Sequence, residues 1–173
     1  NRMIFYFEKD FNGVNDLNTV KYYKCVECGF TQSGTHCNMS KTEFLKLNSL
    51  YHLNYLGSEL NNDDPNWLTR LNAQAQVLSD AAEIGIINKH GNWLDYGCGD
   101  GKLSELLNSK FGITLSKFDQ YLFDNENYLN NEELIPRGFD FVITTSVFEH
   151  LINRNEYDEI ESLVSENGVL GLH

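Results

Sequence analysis

The residues best suited to chemistry crowd into one turn. In "WLDYGCGDGKLSELL", residues 93–107, an apolar run reaches Asp95 and then sets glycine at positions 97, 99 and 101, directly before a helical pattern. Glycine in such a turn accepts positive φ and removes the Cβ that would hold a ligand off the backbone. The spacing separates two ligand chemistries. A dinucleotide fingerprint reads G-x-G-x-x-G and seats a pyrophosphate on the helix N-terminus. Here Lys102 stands where the third dinucleotide glycine belongs, and Asp100 would put negative charge beside a pyrophosphate. A ligand with a cationic centre and an amino-acid group tolerates that aspartate. Asp95 is read as ordering the turn. A second acid, Asp119, ends the run "ITLSKFD". An acid about 20 residues after the turn, at the tip of the second strand, accepts hydrogen bonds from the two hydroxyls of a ribose. Gln120 and Tyr121 follow it and are placed to cover a purine face.

A separate cluster, "CVECGFTQSGTHC", holds Cys25 and Cys28 in a C-x2-C pair, with Gly29 for a tight turn, and then Cys37. A closed structural zinc site takes four nitrogen or sulfur ligands in a tetrahedron. Three thiols are present; the fourth ligand is His36, His52 or a residue outside this sequence. His36 adjoins Cys37, and neighbours rarely point into one tetrahedron, so the expected set is Cys25, Cys28, Cys37 and His52. The competing reading is three free thiols. Cys98, between two glycines, reads as a packing residue. Four cysteines in 173 residues are no dense disulfide framework, and a reducing cytoplasm suits them better.

The elements that must position these residues follow from patterning. "MIFYF" and "VKYYKC" are β-prone, with turn material between them. From Ser40, a capping box with Glu43 opens a helix whose face carries Phe44, Leu47, Leu50, Tyr51 and Tyr55. Asp64 and Pro65 offer an N-cap and a first-turn proline for a helix at about 66–84, closed by Gly85. Strand and helix then alternate: "GNWLDYG", "GKLSELLNSKFG", "ITLSKFD", an irregular or weakly helical crossover at "NENYLNNEELIPRG", "FDFVITTSV", "NEYDEIESLVSENG" and a strand at "GVLGLH". Such alternation predicts an α/β fold, a parallel sheet with helices on both faces.

"LDYGCGDGKL", "FDQY" and "FDFVITTSVFEHL" together resemble the class I S-adenosylmethionine-dependent methyltransferases, over about residues 66–173. The resemblance implies a Rossmann-like sheet and S-adenosylmethionine as cofactor. Asp95, Gly97, Gly99 and Gly101 would lie on its methionine and ribose side, Asp119 and Gln120 at the nucleoside, and 144–148, Thr145 included, under the methionine moiety. The "EHL" segment is similar to the branch that modifies sugars and other small molecules. The cysteine cluster resembles the small zinc module ahead of some sugar C-methyltransferases, although those carry two cysteine pairs. The implied organisation is a zinc-binding module with linker helix at 1–60 and a cofactor-binding domain at 61–173. A complete domain of that family has seven strands, and "GVLGLH" is only the fifth expected here, so the sheet is expected to be incomplete.

Methyl transfer is an in-line displacement that sometimes also requires proton removal. Glu149 and His150, just past the strand "FDFVITTSV", are the candidate catalytic pair, since an imidazole titrates near neutrality. A net charge of -12, from 25 acidic and 13 basic residues, disfavours nucleic acid and anionic membrane surfaces as partners. A cytoplasmic enzyme with a small polar substrate, a sugar or nucleotide-linked sugar, is the leading expectation; the oligomeric state is left open. A non-catalytic zinc-containing interaction protein and a protein or nucleic-acid methyltransferase are the alternatives.

Overall fold

The computed structural model describes residues 2–13, 17–53, 65–122, 126–134, 138–151 and 153–173, the side chains of 51–53 excepted. Expectations for Tyr51, Tyr55, Asp64 and the His52 side chain lie outside these residues. The chain forms two compact units, Asn1–Tyr55 and Leu56–His173.

In the first unit, β1 (Met3–Asp10), β2 (Thr19–Cys25) and β3 (Thr31–Ser33) form an antiparallel sheet in that order. Alternating aromatics hold β1 to β2: Phe7 stacks on Tyr22 at 4.5 Å between ring centroids, and Phe5 meets Tyr23 edge-on at 6.3 Å. The short β3 was not expected. It arises because the Cys25–Phe30 turn closes tightly, with the Cys25 amide donating to the Phe30 carbonyl at 2.8 Å and the Gly29 amide to the Cys25 carbonyl at 3.0 Å. Helix α1 (Lys41–Leu53) starts on the expected capping box. The Ser40 amide donates to Glu43 Oε2 at 2.8 Å and the Glu43 amide to Ser40 Oγ at 3.3 Å.

The second unit is the α/β part. Its parallel sheet has the order β5-β4-β6-β7, from β4 (Trp93–Tyr96), β5 (Leu115–Phe118), β6 (Phe139–Thr144) and β7 (Val164–Leu172). Helices α2 (Trp67–Glu83) and α3 (Lys102–Phe111) bury Ala75, Leu78, Leu103 and Leu107 against Trp93, Leu115, Phe141 and Ile143. The opposite cluster joins Leu94, Phe118, Phe139 and Val142 to Leu134 of α4 (Asn131–Leu134) and Ile160 of α5 (Arg154–Ser162). Both faces are covered, which is why the central strand β6 is buried along nearly its whole length rather than at alternate positions.

Three boundaries differ from expectation. Helix α2 begins at Trp67 with Asn66 in the N-cap position, so Pro65 precedes the helix instead of entering its first turn. Helix α5 ends at Ser162, because Val164 already pairs with Phe139. The register then shifts so that Phe141 faces Val169, and "SENG" becomes an irregularity within β7 rather than the end of a helix. The same irregularity lets Phe139 and Phe141 face opposite cores although they are two residues apart.

Candidate active site

From β4 the chain moves outward to β5, then crosses back to β6 on the other side of β4. Strand order therefore switches between β4 and β6, and open parallel sheets bind ligands beyond the carboxyl ends of the strands at such a point. Three segments meet there: the glycine turn after β4, Asp119 after β5 and residues 145–147 after β6.

The turn is held by backbone and side chain together. The amides of Gly97 and Cys98 both donate to the Phe118 carbonyl, at 2.7 and 3.0 Å, which ties the turn to the end of β5. All three glycines have positive φ: +73° at Gly97, +54° at Gly99 and +75° at Gly101. They are not equivalent. A Cβ at Gly97 would lie 2.5 Å from Val147 Cγ2, and one at Gly101 would lie 3.1 Å from both Lys117 Cδ and the Tyr128 hydroxyl. A Cβ at Gly99 would meet nothing within 4 Å. Gly97 and Gly101 thus make room for this chain's own side chains, and of the three only Gly99 has no described atom on its Cβ side.

The two acids differ in role from the sequence reading. Asp119, 4% exposed, orders the turn. Its Oδ2 accepts the Gly99 amide at 3.0 Å and its Oδ1 the Tyr121 amide at 2.9 Å. Each carboxylate oxygen keeps a second lone pair, so a ribose contact can coexist with these bonds. Asp95, 1% exposed, instead accepts the Ser104 hydroxyl of α3 on Oδ2 at 2.9 Å, and its Oδ1 is buried without a hydrogen-bond partner. Burial pushes the Asp95 carboxyl up to about 6; the Ser104 hydroxyl and Lys117 pull it down, while Asp119 and Asp100 push it further up.

The other expected site residues are dispersed around this centre. Gln120 is exposed. Thr145 is half-buried on the wall of an apolar groove of about 370 Å³ that also includes Leu103, Phe141, Ile143 and Val169. Glu149 is exposed and His150 half-buried, on the single turn Phe148–His150. Val147, two residues before that turn's Glu149, carries the segment onto Gly97. Burial drives the Cys98 thiol far above its usual range, which fits packing rather than reactivity. Ser104, Tyr128 and Val147 were not anticipated. Ser104 had one weak signal, a hydroxyl within the first turn of the helix that follows the acid.

The residues fit S-adenosylmethionine: half-buried backbone at Gly99 with no described atom on its Cβ side, an orphan carboxylate oxygen suited to a cation, and a second acid at the tip of β5. Residues 52–173 match the family model described as "Methyltransferase domain". The chain belongs to this methyltransferase family. The protein is therefore an S-adenosylmethionine-dependent methyltransferase with a Rossmann-like sheet. No curated protein matches the chain.

Among the described residues, the methyltransferase does not bring the three expected cysteine ligands together. Cys25 and Cys28 do come together: backbone groups of Cys28 and Glu27, and then the Cys28 thiol, hold the Cys25 thiol below its usual range against burial. Cys37 belongs to a separate turn, where its thiol donates to the Gly34 carbonyl at 3.6 Å and accepts from Gln32 Nε2 at 3.3 Å. Among the described residues, no three His, Cys, Asp or Glu side chains could hold a metal ion. The short strand β3 is the physical reason, since it carries the chain away before Cys37. His36 is also committed locally, with Nδ1 at 2.6 Å from Ser33 Oγ. No described helix is long and apolar enough to cross a membrane.

Proposed function

We propose that this methyltransferase methylates a small polar acceptor, a sugar or nucleotide-linked sugar, at the crevice between β4 and β6. The observation that carries the site is Gly99, whose backbone faces open space at the switch point while the Asp119 carboxylate holds its amide. S-adenosylmethionine, when bound, supplies a methyl group on an electrophilic sulfonium. The chain would hold it with Gly99, Asp119 and Asp95, and with Gln120 and Thr145 at its edges. His150 would take the acceptor's proton on a ring nitrogen, with Glu149 beside it. The small acceptor rests on the resemblance of "TTSVFEHL" to sugar-modifying enzymes, and the acidic balance weighs against a nucleic acid.

Calorimetric titration tests the cofactor half of this reading: the chain should bind S-adenosylhomocysteine at micromolar concentration and leave NAD unbound. Equal binding of NAD would return the glycine turn to the dinucleotide class. Transfer of labelled methyl to a panel of nucleotide-linked sugars tests the acceptor, and transfer confined to polypeptide or RNA would overturn it.

We also propose Cys25 and Cys28 as two ligands of a structural zinc ion in a reducing, cytoplasmic setting; all four cysteines are free thiols. Their tight turn fits two of the four tetrahedral positions, and Cys37 fits neither of the others in this arrangement. The metal content of purified protein should fall to background in Cys25→Ser and Cys28→Ser, and stay at the wild-type level in Cys37→Ser. Loss of metal in Cys37→Ser would restore the three-cysteine set.

A further inference from the structure

We infer that Tyr128 is a positioning residue of the cofactor site, acting as a clamp on the one glycine that faces the ligand. The inference rests on the cofactor reading above.

Tyr128 comes from the crossover after β5, a segment with no recognisable motif. The Leu129 amide donates to the Lys117 carbonyl at 2.7 Å, which lays Tyr128 alongside the end of β5. Its buried ring lies under the Lys117 ammonium, 4.9 Å from Nζ to the centroid. Its hydroxyl donates to the Gly99 carbonyl at 2.9 Å. The Gly99 amide is already held by Asp119 Oδ2 at 3.0 Å. Both backbone polar groups of this residue are therefore fixed by side chains, the amide by Asp119 just after β5 and the carbonyl by Tyr128 of the crossover.

This arrangement answers a specific problem. A turn with glycine at every second position has more backbone freedom to lose than one with side chains at those positions. A ligand that must order such a turn binds more weakly than one that meets it already ordered. Among the described residues nothing supports Gly99 from its Cβ side, where a Cβ would meet no atom within 4 Å. The support has to come through its amide and its carbonyl. Gly101 fits the same logic, since a Cβ there would crowd the Tyr128 hydroxyl and Lys117, each at 3.1 Å. Burial keeps the Tyr128 phenol protonated, so it stays a donor.

The test is Tyr128→Phe in the full chain, which removes one oxygen and keeps the ring and its lysine contact. S-adenosylhomocysteine affinity by calorimetry should fall by roughly 3- to 12-fold, within the range for a lost hydrogen bond of ordinary net strength. Hydrogen exchange at the Gly99 and Gly101 amides should speed up without ligand, while the melting temperature moves only a few degrees. A lower melting temperature with affinity within twofold of wild type would make Tyr128 a mere packing residue and overturn the inference. If wild-type protein binds no S-adenosylhomocysteine, yet the variant's turn amides exchange faster, the cofactor reading falls while the clamp is supported.

Discussion

Asp119→Ala is expected to weaken S-adenosylhomocysteine binding by about 10- to 100-fold, or roughly 1–3 kcal/mol. The carboxylate is buried and makes two bonds, to the amides of Gly99 and Tyr121. Truncation leaves both donors unpaired. It also releases the turn from the segment after β5, so Gly99 loses one of its two supports. Any contact from the carboxylate to the ligand disappears as well. Asp119→Asn should rescue little: one amide oxygen can still accept, but its NH2 group would face a backbone N–H, donor against donor. Calorimetry on protein with an unchanged circular dichroism spectrum is the measurement. An alanine variant that binds within twofold of wild type would remove Asp119 from the site, and an asparagine variant with full affinity would refute the two-acceptor argument.

The difference between what could and could not be anticipated here is one of range. Strand–helix alternation, the glycine turn and the acid at the end of β5 were legible because each is a local pattern with a local cause: burial on two faces, positive φ, and position at a strand tip. The capping box of Ser40 and Glu43 is local in the same sense. What failed were inferences about which groups meet. Asp95 was expected to order the turn, but its alternation in β4 directs it beneath α3 to Ser104. Asp119 took over that task because the turn folds back over the end of β5. Two of the three glycines serve Val147, Lys117 and Tyr128, residues from other segments whose approach no spacing rule reveals. Cys37 lies close to the C-x2-C pair in sequence, yet an intervening strand separates it in space. Helix α5 was read too long because "SLVSE" continues its pattern, whereas the pairing of Val164 with Phe139 decides where it stops.

The stability of the ligand-free protein should decrease as pH rises from about 4 to about 6, through Asp95, and this dependence should vanish in Asp95→Asn. In the folded chain burial raises this carboxyl to about 6, against an ordinary value of 3.8. Between those values the folded state holds a proton that the unfolded state has released. Unfolding is then favoured by each increment of pH, since stability rises with pH only where the unfolded state binds more protons. Above the folded value both states are ionised and the penalty is constant. A shift of about two pKa units corresponds to about 3 kcal/mol, to be read from urea unfolding of wild type and variant across this range. Comparing the two isolates Asp95 from every other titrating group. Its orphan Oδ1 gives the penalty a functional sense: at neutral pH the chain carries an ionised, half-satisfied carboxylate in its interior, a strain that a cationic ligand would relieve. Saturation with S-adenosylhomocysteine, whose amino group is cationic, should therefore shrink the wild-type dependence and leave Asp95→Asn unchanged. A wild-type curve that is parallel to the variant's throughout would show that Asp95 titrates alike in the folded and unfolded chains, and would remove it as the site's anionic anchor for a cation.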